Sequence, residues 1–203
     1  GSLTLATLAP PPESNDDYAL LQRYLEGDAR AMDVLVDRHA GRVYGFVLRF
    51  TGNAALAEDL TQEVWLRVLR SARGFEGRAR FSTWLFTLAR SVCLDHFRKD
   101  QRRSARLPAV SEPQLENLEG EAPLPLERLA DRELAEHVLA AVSELPDAQR
   151  EVFLLREEGL SAAEVAEIQG VPRDTVKSRM RYALTYVRRI LRARLGEGAS
   201  RGL

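Results

Sequence analysis

Apolar residues recur every three or four positions along most of this 203-residue chain, and no segment of useful length alternates apolar and polar residues. The first spacing is that of one face of an α-helix, whereas strict alternation is typical of a half-buried strand. In "LAEDLTQEVWLRVLRSARGF" the pattern predicts a helix that buries Leu60 and Val64. It assigns Leu66 and Leu69 to the same inward side. The chain is therefore predicted to be all-α.

Proline divides this helical pattern into two parts. Four of the nine prolines fall between residues 104 and 126, among Ser, Glu, Gln and Asn. Proline in a helix interior removes a hydrogen bond, and such a composition is typical of a linker. We therefore expect two small helical domains joined by a flexible linker and flanked by disordered ends. The predicted parts are a leader at 1–15, domains at 16–103 and 127–195, a linker at 104–126, and a tail at 196–203.

The net charge of −1 conceals three blocks of opposite sign. Residues 67–106 hold eleven Lys and Arg against three Asp and Glu, a balance of +8. Residues 112–167 hold four against fifteen, or −11, and residues 171–195 hold eight against one, or +7. Two basic blocks are suited to phosphate backbones, and the acidic block is suited to a basic protein surface. Ordinary solvated helix faces are the alternative interpretation of each block.

The sequence argues against several classes of protein. Its single cysteine, Cys93, excludes an internal disulfide and a multi-cysteine metal site, and it favours a reducing compartment. No apolar run approaches the roughly 20 residues that cross a bilayer, so we expect a soluble, cytoplasmic chain without membrane insertion. The histidines, His39, His96 and His137, fall in three separate predicted helices without metal-ligand spacing. We expect no metal, no cofactor and no catalysis.

The end of the second domain has the spacing of a helix-turn-helix unit. A short helix is predicted to begin at Ser161 and to end at a tight turn at Gly170, before a longer helix that begins at Pro172. The small side chain of Ala166 lets two helices cross closely, and Gly170 supplies the positive φ of the turn. Val176 then closes the core between the helices. Proline suits a first helical turn because its missing N–H has no intrahelical partner there.

The outer surface of that second helix carries the candidates for DNA contact. Arg and Lys donate to guanine N7 and O6 or to phosphate, and hydroxyl groups serve either role. Residues near the start of such a helix reach the groove floor, whereas Arg192 and Arg194 are expected to flank the backbone. Alternatively, a basic helix end simply complements the helix macrodipole. The candidates are Arg173, Thr175, Lys177, Ser178, Arg181 and Tyr182.

Three segments together carry a family resemblance. "AEDLTQEVW", "FEGRARFSTWLFTLARSVCLDHFRKDQRR" and "LPDAQREVFLLREEGLSAAEVAEIQGVPRDTVKSRM" occur in this order, on both sides of the linker. Over nearly the whole chain they resemble the bacterial extracytoplasmic-function (ECF) sigma factors. The resemblance implies that the first domain, sigma region 2, binds core RNA polymerase and the minus-ten promoter element. It implies that the second domain, sigma region 4, reads the minus-thirty-five element, and that an anti-sigma protein is a further partner.

The "DLTQE" segment is the candidate for the polymerase contact. Asp59, Gln62 and Glu63 stand at i, i+3 and i+4, so they share one face of a helix and form a compact acidic patch. In the family the matching helix docks on the β′ clamp helices of the polymerase, whose β subunit is also implied as a partner. The alternatives are a plain solvent face or a metal held by Asp59 and Glu63.

The segment "GFEGRARFSTWLF" and the helix after it are the candidates for promoter melting. A base lifted from the stack needs a pocket, apolar or aromatic walls, and basic residues for its backbone. By resemblance, the loop captures the flipped minus-ten base, and the helix contacts the strand at Ser91 and Asp95. Many relatives carry Asn there, so the preferred minus-ten sequence does not follow from the resemblance. Phe81, Trp84 and Phe86 are expected in the core. The minus-ten candidates are Phe75, Arg78, Arg80, Ser91, Asp95, Arg98, Lys99, Arg102 and Arg103.

Two other functions compete with the sigma factor. A stand-alone regulator similar to the LuxR-type output domain would bind duplex without polymerase, but it leaves "DLTQE" and "FSTWLF" without a role. A small helical enzyme would use Asp59 and Glu63 on a metal. The sequence also leaves the placement of the two domains open, because a linker of this composition permits a compact, inhibited arrangement as well as an extended one.

Overall fold

The computed structural model describes residues 16–103 and 132–195, and within them the chain forms eight α-helices and one 3-10 turn, with no strand. The predicted all-α class is confirmed for these residues. The predicted leader, linker and tail lie outside the described residues, and the domain boundaries stay predictions. The helices are α1 Asp16–Leu25, α2 Ala29–Thr51, α3 Ala54–Ser71, α4 Phe81–Arg103, α5 Arg132–Ser143, α6 Asp147–Glu157, α7 Ala162–Gln169 and α8 Arg173–Leu195, and the 3-10 turn Ala72–Gly74 follows α3.

Side-chain caps fix where several of these helices begin. The carboxylate of Asp28 accepts a hydrogen bond from the backbone N–H of Arg30 at the start of α2, and Asn53 accepts one from Leu56 at the start of α3. Such caps satisfy N–H groups that have no partner inside the helix. The short connection between α2 and α3 turns these two helices back on each other. Helices α1, α3 and α4 all pack against α2.

The core of this first group corrects one expectation. Leu60 and Val64 are buried as predicted, whereas Leu66 and Leu69 are 45% and 41% exposed. Successive helical residues are rotated by about 100°, which places these two leucines on the side of α3 opposite Leu60 and Val64. The predicted inward stripe was therefore too wide, and α3 has an outward face that is partly apolar.

Helices α5, α6 and α7 pack against α8 to form the second group. Val176 and Val187 on α8 are buried, as the helical spacing predicts, and they belong to a core that includes Phe153. This core keeps one side of α8 inward and leaves Arg173, Lys177 and Arg181 exposed on the other side.

The two groups are packed against each other. Helix α2 contacts α5 and α6, and α4 contacts α7. Of the two arrangements that the sequence allowed, the structure has the compact one. No helix in the described part of the chain is both long and apolar enough to span a membrane.

A buried polar cluster joins α1 to α2. Asp17 is 2% exposed, and its carboxylate accepts hydrogen bonds from Arg38 and, at 2.8 Å, from Nε2 of the fully buried His39. Burial raises the pKa of the Asp17 carboxyl, but the hydrogen bonds and charges of His39 and Arg38 outweigh burial and leave that pKa below its usual value. The ionised carboxylate therefore stabilises the fold.

The loop before α4 depends on a close approach by glycine. Gly77 has φ +70°, and an added Cβ would lie 2.8 Å from Cε2 of Tyr18. The Tyr18 ring meets Phe75 edge-on at 5.8 Å, and Phe75 stacks on Trp84 with ring centroids 4.6 Å apart. Glycine meets two requirements here, because it tolerates the positive φ and has no Cβ to collide with the Tyr18 ring.

Replacing Asp17 by Asn removes a buried charge that two neighbours bind. The pKa of the Asp17 carboxyl is lower in the folded chain than in the unfolded chain, where it is about 3.9. The ionised carboxylate therefore stabilises the folded chain at higher pH, and this stabilisation is lost as the pH falls through the folded pKa. The cost of Asp17→Asn should depend on pH in the same way. We expect a loss of about 2 kcal/mol in the free energy of unfolding at pH 7, shrinking below about pH 4. Urea unfolding across pH measures it. Asp16→Asn, at an exposed ion pair with Arg38, is the control and should cost under about 0.5 kcal/mol.

Gly77→Ala should destabilise the chain by about 2 kcal/mol, because a side chain is strained at positive φ and meets the Tyr18 ring. Gly41→Ala is the matched control, since Gly41 lies within α2 with nothing near its would-be Cβ. That change should stabilise the chain by about 0.5 to 1 kcal/mol. Thermal unfolding of both variants compares them, and equal melting temperatures would contradict the close approach.

Candidate nucleic-acid interface

The turn between α7 and α8 has helix-turn-helix geometry. Ser161 and Glu164 form a reciprocal capping box at the start of α7. Gly170 ends α7 with φ +66°, and the N–H of Val171 donates to the carbonyl of Ala166 at 3.1 Å. Pro172 immediately precedes α8, and its carbonyl accepts from Thr175 at 3.0 Å. Gly170 and Pro172, which the sequence spacing assigned to the turn, thus lie in the turn.

The outward face of α8 is basic. Arg173, Lys177 and Arg181 are exposed at four-residue intervals, which forms one stripe along the helix, and Lys177 pairs with Asp174 at 3.2 Å on the surface. The remaining candidates, Thr175, Ser178 and Tyr182, are half-buried beside this stripe.

Arg179 has a different place from its basic neighbours. It is half-buried, and its Nη1 donates to Oε1 of Gln169 at 3.0 Å, so it ties α8 to α7. Basic residues two positions apart in the sequence thus serve different roles, because a helix turns them to different sides.

Arg67 joins two of the predicted sites, and the sequence analysis missed it. Its Nη1 donates to Ser91 Oγ at 3.0 Å, and its Nη2 lies 2.9 Å from Oδ2 of Asp95. Its Nε donates to Oε1 of Glu63 at 3.4 Å. The predicted minus-ten pair on α4 and one predicted polymerase contact on α3 therefore share one guanidinium group. The i, i+4 spacing of Glu63 and Arg67 was the available signal.

The predicted loop residues differ in exposure. Arg78 is open to solvent and pairs with Glu76 at 2.7 Å, whereas Phe75 is only 7% exposed. Phe81 and Phe86 are buried and Trp84 is partly buried, in line with their expected core role.

The far end of α4 continues the basic surface. Arg98 and Lys99 are exposed, and Arg98 lies 3.9 Å from Asp95. For Arg102 and Arg103 the structure describes the helical backbone, and their side chains lie outside the described residues. The structure thus brings Ser91, Asp95, Arg98 and Lys99 onto one length of helix, as predicted candidates for a DNA strand.

The face of α3 combines acidic and apolar groups. Asp59 and Gln62 are exposed and Glu63 is half-buried, and the exposed Leu66 and Leu69 lie on the same outward side. Within the described part of the chain, no group of three or more His, Cys, Asp or Glu side chains is arranged to hold a metal ion. This face has the composition of a protein contact more than of a metal site.

Carboxylates of the second group meet arginines of the first. Glu158 accepts from Arg49 and, at 3.3 Å, from Arg42. Burial raises the pKa of the Glu158 carboxyl, and the charges of Arg49 and Arg42 oppose this without cancelling it. The two ion pairs thus do not fully offset the cost of removing this carboxylate from water.

Two family models match the chain, one in each group of helices. Sigma-70 region 2 matches residues 35–103, which span most of α2 and all of α3 and α4. Sigma-70, region 4, matches residues 135–186, which include the whole helix-turn-helix turn.

Curated relatives match both groups at once. The chain is 31% identical to the RNA polymerase sigma-H factor of Pseudomonas aeruginosa over 170 residues, 81% of this chain and 88% of that protein. It is 36% identical to the ECF RNA polymerase sigma factor SigL of Mycobacterium tuberculosis over 166 residues, 79% of this chain and 89% of that protein. Both matches cover far more than either group of helices alone.

Solved structures have the same fold. CnrH in complex with the cytosolic domain of CnrY superposes with a TM-score of 0.64 at 20% identity, covering 88% of this chain and 99% of that one. RpoE of Bartonella quintana, in complex with the anti-sigma factor NepR, gives 0.63 at 21% identity, covering 82% and 99%. With the relatives and both region matches, the chain belongs to the ECF family of RNA polymerase sigma factors.

Proposed function

We propose that this chain binds core RNA polymerase in the cytoplasm through the outward face of α3 and directs it to promoters. The observation that carries this proposal is the pair of exposed leucines, Leu66 and Leu69, beside Asp59 and Gln62. Large exposed apolar side chains ringed by polar ones are typical of protein contacts, and the acidic groups suit a basic partner. The β′ clamp helices are the partner that the family offers for this helix.

The stripe on α8 is our proposed reader of the minus-thirty-five element. Arg173 and Lys177 lie in the first turns of the recognition helix, where side chains reach base edges, and Arg181 follows on the same side. We assign Arg192, which is exposed at the far end, to phosphate contact, which positions a protein without reading sequence.

The loop before α4 and the exposed side of α4 are our proposed minus-ten site. Arg78 is available for phosphate, and Ser91 and Asp95 are held in place by Arg67. Because Phe75 is stacked inside the loop on Trp84, its ring serves as a wall of the loop and not as an exposed stacking surface. Capture of unpaired bases offsets the cost of strand opening, so the mechanism is binding and remodelling without bond chemistry.

The competing functions explain less of the structure. A stand-alone regulator gives no role to the α3 face or to the region 2 match, which extends over α2, α3 and α4. An enzyme that holds a metal with Asp59 and Glu63 would need Glu63 released from Arg67. We also propose control by an anti-sigma protein, in keeping with RpoE, which was solved with one.

Asp59→Ala with Glu63→Ala should weaken binding to core polymerase by about tenfold or more, because it removes both charges from the docking face. Asp33→Ala with Asp37→Ala is the matched control, since it removes two exposed charges with the same four-residue spacing from α2. Titration of full-length protein into core polymerase measures both. Equal losses in the two double variants would refute the α3 face as the docking site.

Lys177→Ala and Arg181→Ala should each relax the preferred upstream sequence, with a cost of about 1–3 kcal/mol at the bases they read. Arg192→Ala should weaken promoter binding about evenly across sequences. Selection from a randomised promoter library with reconstituted polymerase compares the three variants. An unchanged upstream preference in the first two would contradict the groove assignment.

A further inference from the structure

The guanidinium group of Arg67 is bound on three sides, and two of its partners are proposed minus-ten contacts. Nη1 donates to Oγ of Ser91 at 3.0 Å, Nη2 lies 2.9 Å from Oδ2 of Asp95, and Nε donates to Oε1 of Glu63 at 3.4 Å. A guanidinium group is planar and directs its N–H groups in a fixed fork, so contacts at all three nitrogens fix its orientation. Arg67 therefore determines how Ser91 and Asp95 are presented on α4.

The charge of Asp95 needs this partner. The Asp95 side chain is 37% exposed on a helix that is proposed to meet DNA. A carboxylate without a cation there would be repelled by the phosphate backbone. Arg67 places a compensating positive charge next to Asp95, and its own side chain is 27% exposed, so the ion pair lies at the surface and not in the core.

The two carboxylate oxygens of Asp95 differ in what they contact. Oδ2 is held by Arg67, whereas Oδ1 lies 3.9 Å from Nη1 of Arg98, which is longer than a hydrogen bond. A carboxylate accepts hydrogen bonds and does not donate them. Oδ1 is thus an acceptor at a fixed position on the proposed DNA side of α4.

The four bases differ in what they offer to such an acceptor. On the major-groove edge cytosine presents the N4 amine and adenine the N6 amine, whereas guanine presents O6 and thymine O4. We call the first two amino bases and the last two keto bases. An amine donates to a carboxylate oxygen, whereas a keto oxygen meets it as a second acceptor without a hydrogen between them. A fixed acceptor therefore discriminates between the two classes of base.

We propose that Arg67 is a positioning residue that sets the base preference of the minus-ten site. By holding Oδ2 of Asp95, it directs Oδ1 to select an amino base over a keto base at one position of the element. This inference rests on the function proposed above and specifies which class of base one contact reads. Arg67 acts through Asp95 and does not itself contact the base.

The test replaces Arg67 by Met in the full-length chain. This change removes the guanidinium group, and the released carboxylate of Asp95 can then turn to Arg98. Arg70→Met is the matched control, because Arg70 is also on α3 and lies 3.6 Å from Glu63, with a side chain that is 68% exposed. Asp95→Asn is a third variant, since an amide both donates and accepts and so suits either class of base.

The first readout is the preferred minus-ten sequence. Holoenzyme reconstituted from core polymerase and each variant selects promoters from a library that is randomised across the minus-ten element. The wild type and Arg70→Met should favour amino bases over keto bases by about tenfold at one shared position. At that position the preference should fall to about twofold or less with Arg67→Met and with Asp95→Asn.

The second readout removes the amine alone. At the shared position of a selected promoter, adenine is replaced by purine, or cytosine by pyrimidin-2-one, neither of which has the exocyclic amine. Initiation should weaken about tenfold with the wild type and Arg70→Met, and about twofold or less with Arg67→Met. A residue that only supported the fold would change initiation on both promoters alike and leave this ratio unchanged.

Arg67→Lys serves as a second variant should Arg67→Met unfold. Lysine keeps the positive charge but lacks the planar fork that binds Ser91 and Asp95 together. The ratio between the promoters with and without the amine should therefore fall with this variant as well.

The outcomes separate the two proposals. If the wild type initiates but has no preference for amino bases at any minus-ten position, or if the folded Arg67 variant keeps the wild-type ratio, the positioning role is wrong and the proposed function stands. An equal fall with Arg70→Met would attribute the effect to net charge and would also overturn the positioning role. If no holoenzyme initiates at any selected promoter, the proposed function fails, and the inference fails with it.

Discussion

A set of ion pairs between the two halves of the molecule fixes how the halves sit against each other. Glu158, at the end of α6, binds Arg42 and Arg49 of α2. Glu151 of α6 binds Arg90 of α4, and Glu164 of α7 binds Arg80 in the loop before α4. One continuous cluster of buried apolar side chains runs through both halves and includes Phe46 and Phe86 in the first and Phe153 and Val187 in the second. Polar side chains supply the described bonds across the contact. The ion pairs themselves fix the geometry of the contact more than its strength, because desolvation opposes their attraction.

That junction divides the surface into parts with different availability. The basic stripe of α8 and the acidic and apolar face of α3 point to solvent, whereas Arg80 and Arg90 are engaged by the second half. Arg78, Arg98 and Lys99 of the proposed minus-ten site are exposed as well, so within that site the second half engages single side chains and does not cover the whole face.

Within the first half, one guanidinium group joins two of the proposed sites. Arg67 holds Ser91 and Asp95 on α4 while it contacts Glu63 on α3. We expect a partner that engages Glu63 to change the electrostatic surroundings of the two α4 side chains proposed to meet DNA. The two proposed sites are linked through direct contacts of this one side chain.

The sequence by itself determined the helical class, the helix-turn-helix turn at Gly170 and the basic stripe of α8, because these depend on local spacing and on backbone preferences of single residues. Helical rotation alone separates Leu66 and Leu69 from Leu60 and Val64, so their outward position was also predictable from the sequence, and the inward assignment was an error in reading the spacing. Local patterns could not, however, reveal the partners of Arg67 on α4 or of Arg90 on α6. Those contacts join residues 24 to 61 positions apart, and only the packing of whole helices decides which distant charges meet.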